Sequence, residues 1–429
     1  MIPGIIASLI FIGSLILIFS EKLDRTISAM VGAILMLGIG IKMGFYTEEQ
    51  AAATIDFDTL GLLLGMMVLV ALLEPTGFFQ YLAIWAGKLS RGHPVRLLIL
   101  LGSITTVLSM FLDNVTTVVL IAPVTILICE ILGISATPLL MAEAILADTG
   151  GAATLVGDPP NILIASAANL SFNDFLTHSL PIVLVSWLVA LFMLRYLFRT
   201  ELAVKPKKLE AILELRPEEA LEDPGTAKRV LVVLAIALIA FFLHEWMQLK
   251  PAFIGLSAAI LGLVWIRPVI RETLKRIEWS VLIFFIALFV MVGGIEQTGV
   301  LHYISSLIFS LNQLNPILLG VILIWLIAGL SAVVDNVPIT IALIPVIQEL
   351  GQAGVNITPL WWALVFGAGF GGNGTIIGST ANVVVVSISE RTRTPITSRL
   401  WNRRGLPVMV ATCLVASILY VFLFPHLLR

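Results

Sequence analysis

The sequence predicts an all-α polytopic membrane protein with two inverted repeats, each made of about five transmembrane helices, one of them unwound, plus one re-entrant helical hairpin. Three observations carry this prediction: an apolar composition, an internal duplication, and the distribution of positive charge among the loops. Hydrophobic residues make up 59% of the 429 positions, charged residues make up 12%, and the mean hydropathy is +1.05. Soluble domains carry roughly 25% charged residues, so the expected solvent is a lipid bilayer.

The duplication is visible in two motifs. The stretch LSMFLDNVTTVVLIAPV at 108–124 recurs as LSAVVDNVPITIALIPV at 330–346, and GGAATLVGDPPN at 150–161 recurs as GGNGTIIGSTAN at 371–382. Upstream, the residues Glu74, Thr76, Gly77 and Tyr81 recur as Glu296, Thr298, Gly299 and Tyr303. Internal repeats of this kind are typical of secondary transporters.

Membrane spans are predicted where apolar runs of about 17 or more residues lie between charges. Ordinary spans are predicted near 2–20, 27–43, 58–74, 178–195, 229–248, 252–267, 279–295 and 405–424. Interrupted segments are predicted near 97–133, 138–169, 315–350 and 359–390. The polar stretch Arg199 to Lys228 is predicted to be a partly helical cytoplasmic linker. The chain thus divides into repeat 1 (1–198), a linker (199–228) and repeat 2 (229–429).

Loop charge predicts the orientation of the repeats, because Lys and Arg remain on the cytoplasmic side. Basic residues occur in 21–25, 75–96, 267–276 and the loop before the last helix, whereas 44–57, 170–178 and 299–315 contain none. Segment 75–96 is therefore expected inside, and the equivalent segment 297–315 is expected outside. Equivalent parts of the repeats face opposite sides, so the repeats are predicted to be antiparallel, with both chain termini outside.

The Asp-Asn motifs are expected to form hairpin tips inside the membrane. Asp and Asn are good N-caps, so Asp113 or Asn114 is predicted to cap a returning half-helix that begins at Val115. Asp335 or Asn336 is predicted to do the same in the second repeat, where Pro338 suits a first helical turn. The charges of the flanking loops are equally consistent with a hairpin and with two full spans, because both place those loops on the same sides. The poor helix propensity of the motif favours the hairpin, since non-helical backbone at membrane depth needs protein or water around it.

The Gly-rich motifs are expected to interrupt a helix. Glycines loosen the backbone, and Asp158 before two prolines is predicted to be an N-cap for a new helix. Ser379 stands at the equivalent position of the second repeat and is also a good cap. The interrupted helices and hairpins would aim half-helix N-termini, with their partial positive charge, at a central site that also contains carboxylates.

Acidic residues inside a membrane are costly and are usually functional. For Asp113 and Asp335 the alternative to a functional role is simple helix capping, and capping is the favoured interpretation for Asp158. Asp148 lies opposite Gly369 in the repeat alignment, so we interpret it as a candidate proton or ion ligand. Other acids with weaker cases are Glu143, opposite Leu364, and the helix-end pair Glu74 and Glu296.

Several classes of protein are disfavoured by the sequence. The His244-Glu245 pair lacks a second His, because Gln248 occupies that position. Cys129 and Cys413 lie far apart in apolar stretches and are expected to be free thiols. No nucleophile motif, metal motif or P-loop is present, and the net charge is -2, so we expect no enzyme, no cofactor, no metal site and no nucleic-acid partner. An ATPase subunit docking on the linker and homodimer formation are left open.

The paired motifs resemble one branch of the ion transporter superfamily, which contains arsenite-efflux permeases, NhaD-type sodium/proton antiporters and the melanosomal P protein. The resemblance covers nearly the whole chain. It implies scaffold helices, two re-entrant hairpins and two unwound helices, in a fold related to the divalent-anion/sodium symporters that move by an elevator-like shift.

The resemblance also implies the substrate-binding or ion-binding residues. At the hairpin tips these are Asp113, Asn114, Thr116, Thr117, Asp335, Asn336 and Thr340. In the unwound helices they are Thr154, Asn161, Asn373, Thr375, Ser379 and Asn382. Asp148, Asp113 and Asp335 are the candidates for proton coupling.

The favoured function is proton-coupled efflux of arsenite or antimonite across the inner (plasma) membrane, because bacterial chains of this type are commonly such permeases. Two distant cysteines exclude a three-thiolate arsenic site, so hydrogen bonds would have to recognise the uncharged hydroxide. The alternative is sodium/proton antiport that uses the same acids. A dicarboxylate-type anion permease, a channel and an ATP-driven pump rank lower. The expected partners are a small inorganic solute or ion, protons and the lipid bilayer.

Overall fold

The protein is all-helical in the computed structural model, which describes residues 2–19, 22–206, 209–300 and 315–427. No β-strand occurs within these ranges. Seven helices in the described part of the chain are long and apolar enough to cross a membrane. Six of them coincide with predicted ordinary spans, and the seventh, Asn114–Leu132, is one arm of a predicted hairpin. The predicted outer loop 299–315, with Tyr303, and Lys207 and Lys208 of the linker lie mostly or wholly outside the described residues.

Repeat 1 contains ten helices of six or more residues in its described part. They are α1 (Ile2–Phe19), α2 (Arg25–Met43), α3 (Glu48–Ala53), α4 (Phe57–Leu73), α5 (Phe78–Leu89), α6 (Pro94–Ser109), α7 (Asn114–Leu132), α8 (Thr137–Gly151), α9 (Pro159–Ala168) and α10 (Leu180–Leu197). A short helix, Phe172–Asp174, and a π-helical turn, Phe175–Ser179, lead directly into α10. The linker then forms short helices at Arg199–Leu202 and Leu209–Glu214, as predicted.

Repeat 2 repeats this order. Its helices are α11 (Pro224–Met247), α12 (Pro251–Ile266), α13 (Ile270–Arg276), α14 (Trp279–Gln297), α15 (Pro316–Ser331), α16 (Asn336–Gln352), α17 (Thr358–Gly371), α18 (Thr380–Ser389) and α19 (Ser398–Leu427). Helix α11 begins at Pro224, where Asp223 accepts a hydrogen bond from the Thr226 amide. The last part of the predicted linker is therefore already helical.

Both Asp-Asn motifs form the tips of helical hairpins. Tip 1 (110–113) joins α6 to α7, and tip 2 (332–335) joins α15 to α16. Asp113 caps α7 and Asp335 caps α16, which confirms the predicted caps, and each returning helix begins one residue earlier than predicted, at the asparagine. The two tips line one shared cavity. The two hairpins come from repeats of opposite orientation, so they enter the membrane from opposite sides. Their tips can line the same cavity only if each hairpin turns back part-way across, which is the re-entrant arrangement.

Both Gly-rich motifs interrupt a helix, α8–α9 in repeat 1 and α17–α18 in repeat 2. The glycines do more than loosen the helix, because they also let two backbone segments lie in direct contact. A Cβ on Gly157 would lie 2.6 Å from the Gly151 carbonyl oxygen, and a Cβ on Gly378 would lie 2.6 Å from the Gly372 carbonyl oxygen. Backbone atoms cannot move aside as a flexible side chain can, so these positions accept only glycine.

The long helices outside the hairpins pack in close pairs. Helix α4 packs along α12, and α2 packs along α14. At the α4–α12 crossing a Cβ on Gly65 would lie 2.4 Å from the Gly255 carbonyl carbon. Small residues at such crossings let helix backbones approach in a bilayer, where burial from water drives little association. We call α1, α2, α4, α11, α12 and α14 the scaffold. Side chains of α4 and α14, among them Met67 and Phe284, form one wall of the shared cavity.

Candidate functional site

The candidate site is the cavity between the hairpin tips, with a volume of about 40 Å³. Its polar lining comes from both tips, from both interrupted helices and from the scaffold. These residues are Asp113, Asn114, Asp158, Asp335, Asn336, Ser379, Thr380, Arg25 and Glu278. The duplicated motifs of the sequence thus converge in three dimensions although they lie more than half of the chain apart.

Asp148 lies at the base of this site and is 1% exposed. Its Oδ1 accepts hydrogen bonds from Asn114 Nδ2 at 2.7 Å and from Ser379 Oγ at 2.9 Å. Its Oδ2 is buried and has no partner among the described residues. One carboxyl group of α8 therefore connects tip 1 to the interrupted helix of the other repeat, and it has a spare oxygen that a proton would occupy.

Asp158 was predicted to be a helix cap, and that interpretation is wrong for its side chain. It stands at the N-cap position of α9, but its carboxylate makes no capping bond. Instead, Oδ2 accepts a hydrogen bond from Asn336 Nδ2 at 3.1 Å. The equivalent Ser379 does cap its helix, through the Ala381 amide. Pro160 lacks one of the two amides that a cap side chain can bond, and the other, the Asn161 amide, donates to the Asp158 backbone carbonyl oxygen instead. The carboxylate is therefore available to tip 2.

The two tip carboxylates differ in their surroundings. Asp113 Oδ2 accepts from the amide and the hydroxyl of Thr116, at 2.9 and 2.8 Å. Asp335 Oδ1 accepts from the Val337 amide, and its Oδ2 accepts from Thr380 Oγ1 at 2.6 Å. Only Asp335 therefore uses one carboxylate oxygen to cap its helix and the other to bond a neighbouring helix, α18.

Sequence reasoning missed Arg25, Glu278 and Thr380. Arg25 counted only as a topology signal, yet its Nη1 lies 3.6 Å from Asp335 Oδ2 and donates to Thr380 Oγ1. Glu278 precedes α14 without capping it. The repeat offset of 222 positions pairs Glu278 with Asp56, which caps α4 through its own carboxylate. The signal available in the sequence was this pairing, in which Glu278 replaces the capping aspartate of the other repeat.

Several predicted binding residues hold the site together instead of lining the cavity. Asn161 Nδ2 donates to the Gly151 and Thr154 carbonyl oxygens at 3.0 and 2.8 Å, and Asn382 Nδ2 donates to those of Gly372 and Thr375 at 2.9 and 3.1 Å. The hydroxyls of Thr154 and Thr375 donate to the tip carbonyls of Met110 and Ala332. These equivalent bonds close each interrupted segment and fasten it to its hairpin.

Four other predicted residues lie around the cavity. Thr117 and Thr340 are fully buried, and their hydroxyls donate to carbonyl oxygens of their own hairpins. Thr116 lines a neighbouring vestibule. Asn373 donates from Nδ2 to Thr149 Oγ1 at 3.1 Å, where the two interrupted helices meet. Glu143 lies apart, and its carboxylate accepts from Thr125.

Two larger vestibules flank the site and are equivalents in the two repeats. One, of about 340 Å³, lies on the side predicted to be cytoplasmic and contains Glu74, Glu278 and Asp113. The other, of about 430 Å³, contains their counterparts Glu296 and Asp56 but does not reach Asp335. The first vestibule shares Asp113 and Glu278 with the cavity. Of these two vestibules, the one on the predicted cytoplasmic side therefore adjoins the cavity, and the other shares no lining residue with it.

The mouths of the vestibules differ in charge. At the predicted cytoplasmic mouth, Arg276 Nη1 lies 2.9 Å from Glu74 Oε1, and Lys275 stands beside it. The repeat offset places Ala53 and Thr54 at the corresponding positions of the other vestibule. The cysteines line neither mouth, since Cys129 and Cys413 are buried in separate apolar clusters.

Curated relatives cover the chain from end to end. An uncharacterized transporter of Mycobacterium tuberculosis is 40% identical over 426 residues, which is 98% of each chain. The 46 kDa membrane protein of Mycobacterium leprae is 39% identical over 423 residues, 97% of each. The P protein of Homo sapiens is 32% identical over 492 residues, covering 96% of this chain and 59% of the P protein.

Comparison with solved structures supports the fold. The YdaH transporter of Alcanivorax borkumensis, described as having an unusual topology, superposes with a TM-score of 0.58 at 16% identity over 98% of both chains. Together with the apolar helices, these relatives make the protein a multi-pass transporter of the inner (plasma) membrane. The model of the citrate transporter family CitMHS matches residues 15–367. The chain therefore belongs to this citrate transporter family within the ion transporter superfamily.

Proposed function

We propose that the protein is a secondary active transporter that exchanges a small inorganic cation, with sodium as the first candidate, for protons. The observation that carries the proposal is the charge of the cavity. Four acidic side chains line it, Asp113, Asp158, Asp335 and Glu278, against the single cation Arg25. Asp148 adds a fifth carboxyl group at its base. Carboxylates held in a medium of low dielectric constant favour a bound cation or a bound proton over an anion.

The oxygen atoms of the site suit a hard cation. Carboxylate, amide and hydroxyl oxygens are the ligands that such ions prefer, and Asn114, Asn336, Ser379 and Thr380 supply the amides and hydroxyls. A cavity of about 40 Å³ holds a dehydrated ion or one or two waters. The same size leaves no room for a tricarboxylate, and the excess of carboxylates would repel one.

Proton exchange would use the same carboxyl groups. A carboxyl group can hold a proton or an ion but not both on the same oxygen, so cation binding at the tips would release protons. Asp148 is the favoured carrier because one oxygen joins both repeats and the other is free to take a proton. Access to the second side would follow from a shift of the tips and interrupted helices against the scaffold.

A second cargo, arsenite, is favoured by a different observation. The amide and hydroxyl groups of the cavity can hydrogen-bond an uncharged hydroxide without help from a thiol. Arsenite efflux would also need a proton carrier among the same acids. We rank it second because a neutral solute gives no reason for five carboxyl groups around one small cavity.

The test is exchange in proteoliposomes with an internal pH-sensitive dye. Sodium, lithium, arsenite, antimonite and citrate are added in turn under an imposed proton gradient. We expect saturable proton movement with sodium or lithium, and loss of it in Asp113→Asn and Asp335→Asn proteins that still elute as folded. Flux of arsenite alone would replace the sodium proposal with the second cargo. Flux of citrate alone, or full activity in both variants, would contradict the assignment of the site.

A further inference from the structure

Arg25 is a positively charged residue at a helix N-terminus, where the helix itself does not stabilise it. It is the first residue of α2, which Asp24 caps through the Thr26 and Ile27 amides. A cation at a helix N-terminus is disfavoured, because the helix dipole places partial positive charge there. Its stabilising partners must therefore come from elsewhere in the fold.

The polar partners of Arg25 belong to tip 2 and α18. Its Nη1 lies 3.6 Å from Asp335 Oδ2 of tip 2 and donates to Thr380 Oγ1 of α18. On the scaffold side its guanidinium carbon lies 5.6 Å from the centre of the Phe284 ring. Arg25 thus links the scaffold to tip 2 and α18, which are the elements of repeat 2 outside the scaffold that line the cavity.

The two tips are unequal in this respect. Within the described ranges Asp113 has no ion-pair partner, whereas Asp335 has Arg25. The side chains are only partly shielded, with 34% of Arg25 and 19% of Asp335 exposed. A guanidinium keeps its charge at any working pH, so it neutralises Asp335 without a proton.

We propose that Arg25 is a tethered counter-ion, which takes the place of the cargo cation beside Asp335 when the site is empty and must be displaced when the cargo binds. The Asp335 carboxylate retains little access to water, and an unpaired carboxylate in such a place is unstable, so the empty site needs a partner at tip 2. The competition weakens cation binding from this side and favours release. This inference rests on the proposed cation exchange.

The inference predicts opposite effects of one substitution on affinity and on rate. In Arg25→Gln the cargo no longer competes with a built-in cation, so the apparent KM for sodium should fall at least about tenfold, which corresponds to about 1.4 kcal/mol. The maximal exchange rate should fall as well, because release slows. Arg25→Lys retains the charge and should stay closer to the wild type in KM.

The measurement is sodium-dependent proton movement in proteoliposomes, with KM and maximal rate determined separately. Arg216→Gln is the matched control, because Arg216 is 74% exposed in the linker and pairs only with Glu219 among described residues; it should match the wild type. If Arg25→Gln does not fold, Arg25→Met retains an apolar stem over Phe284 and replaces it.

The outcomes separate the inference from the proposed function. A lower KM in Arg25→Gln supports the counter-ion. An unchanged KM with a lower rate would mean that Arg25 only fastens α2 to tip 2, and a higher KM would mean that it binds an anionic cargo; either result overturns the inference. Wild-type protein without any cation-dependent proton movement overturns the proposed function and the inference together.

Discussion

Replacement of Asp148 by asparagine tests whether this carboxyl group couples protons to transport. Asparagine retains the size and one acceptor oxygen, so the bonds from Asn114 and Ser379 can persist, but it cannot gain or lose a proton. The substitution therefore holds the site permanently in the state that the protonated acid would adopt. An exchanger needs both states, so exchange should fall steeply.

The magnitude follows from the two hydrogen bonds that Oδ1 accepts at 2.7 and 2.9 Å. A bond to an ionised group contributes about 1.5–3 kcal/mol, and a neutral bond contributes about 0.5–1.5 kcal/mol. Loss of the charge thus weakens each bond by about 1 kcal/mol. The two together change the coupling of tip 1 to the second repeat by about 2 kcal/mol, or roughly 30-fold in an equilibrium.

The assay is proton-coupled flux in proteoliposomes at a series of external pH values. We expect Asp148→Asn to fold, to lose at least about 30-fold in exchange rate, and to lose the pH dependence of what remains. Glu143→Gln is the matched control, since Glu143 is also fully buried on α8 but bonds Thr125 away from the cavity. Wild-type flux with an unchanged pH profile in Asp148→Asn would show that Asp148 does not carry the coupled proton.

Three further outcomes are expected. Asn161→Ala and Asn382→Ala each leave two buried carbonyls without their side-chain donor, so each should lower the free energy of unfolding by about 2–4 kcal/mol; unchanged thermal stability with weaker cargo binding would instead make them ligands. Gly65→Ala should cost about 1–3 kcal/mol by overpacking the α4–α12 crossing, and Gly38→Ala, in open space, should not. The Thr226 hydroxyl and amide lower the pKa of Asp223, so its cap is complete above the ordinary pKa of an aspartate and is lost as the pH falls through the lowered value; hydrogen exchange of the Thr226 amide should follow that titration and should not do so in Asp223→Asn.

Periodicity and charge were sufficient to predict the main membrane elements of this fold, whereas α3, α5 and α13 lie in segments that were treated as loops. The ordinary spans, both hairpins and both interruptions lie where apolar runs, Asp-Asn pairs and Gly-rich motifs predicted them. Local chemistry explains this success, because a membrane helix satisfies its own backbone and its breaks occur where caps and glycines allow them. Asp113 and Asp335 were recognisable as caps for the same reason.

The misjudged residues are those whose partners lie far away in the chain. Asp158 has every local feature of a cap, yet its carboxylate bonds Asn336 across the repeat interface. Arg25 was used only to predict topology, because its contact with Asp335 of tip 2 is visible only in the folded structure. Hydrogen-bond partners of this kind depend on tertiary packing and have no sequence signature.

Composition, repetition and capping are local properties of the chain, so they were enough to predict a duplicated, polytopic transporter with paired acids at paired breaks. Three-dimensional packing establishes which of those acids share a cavity, that Asp148 joins both repeats, and that Arg25 lies beside Asp335. An ionisable group in a membrane depends on its neighbours within a few ångströms, and at Asp148, Asp158 and Asp335 some of those neighbours come from the opposite repeat.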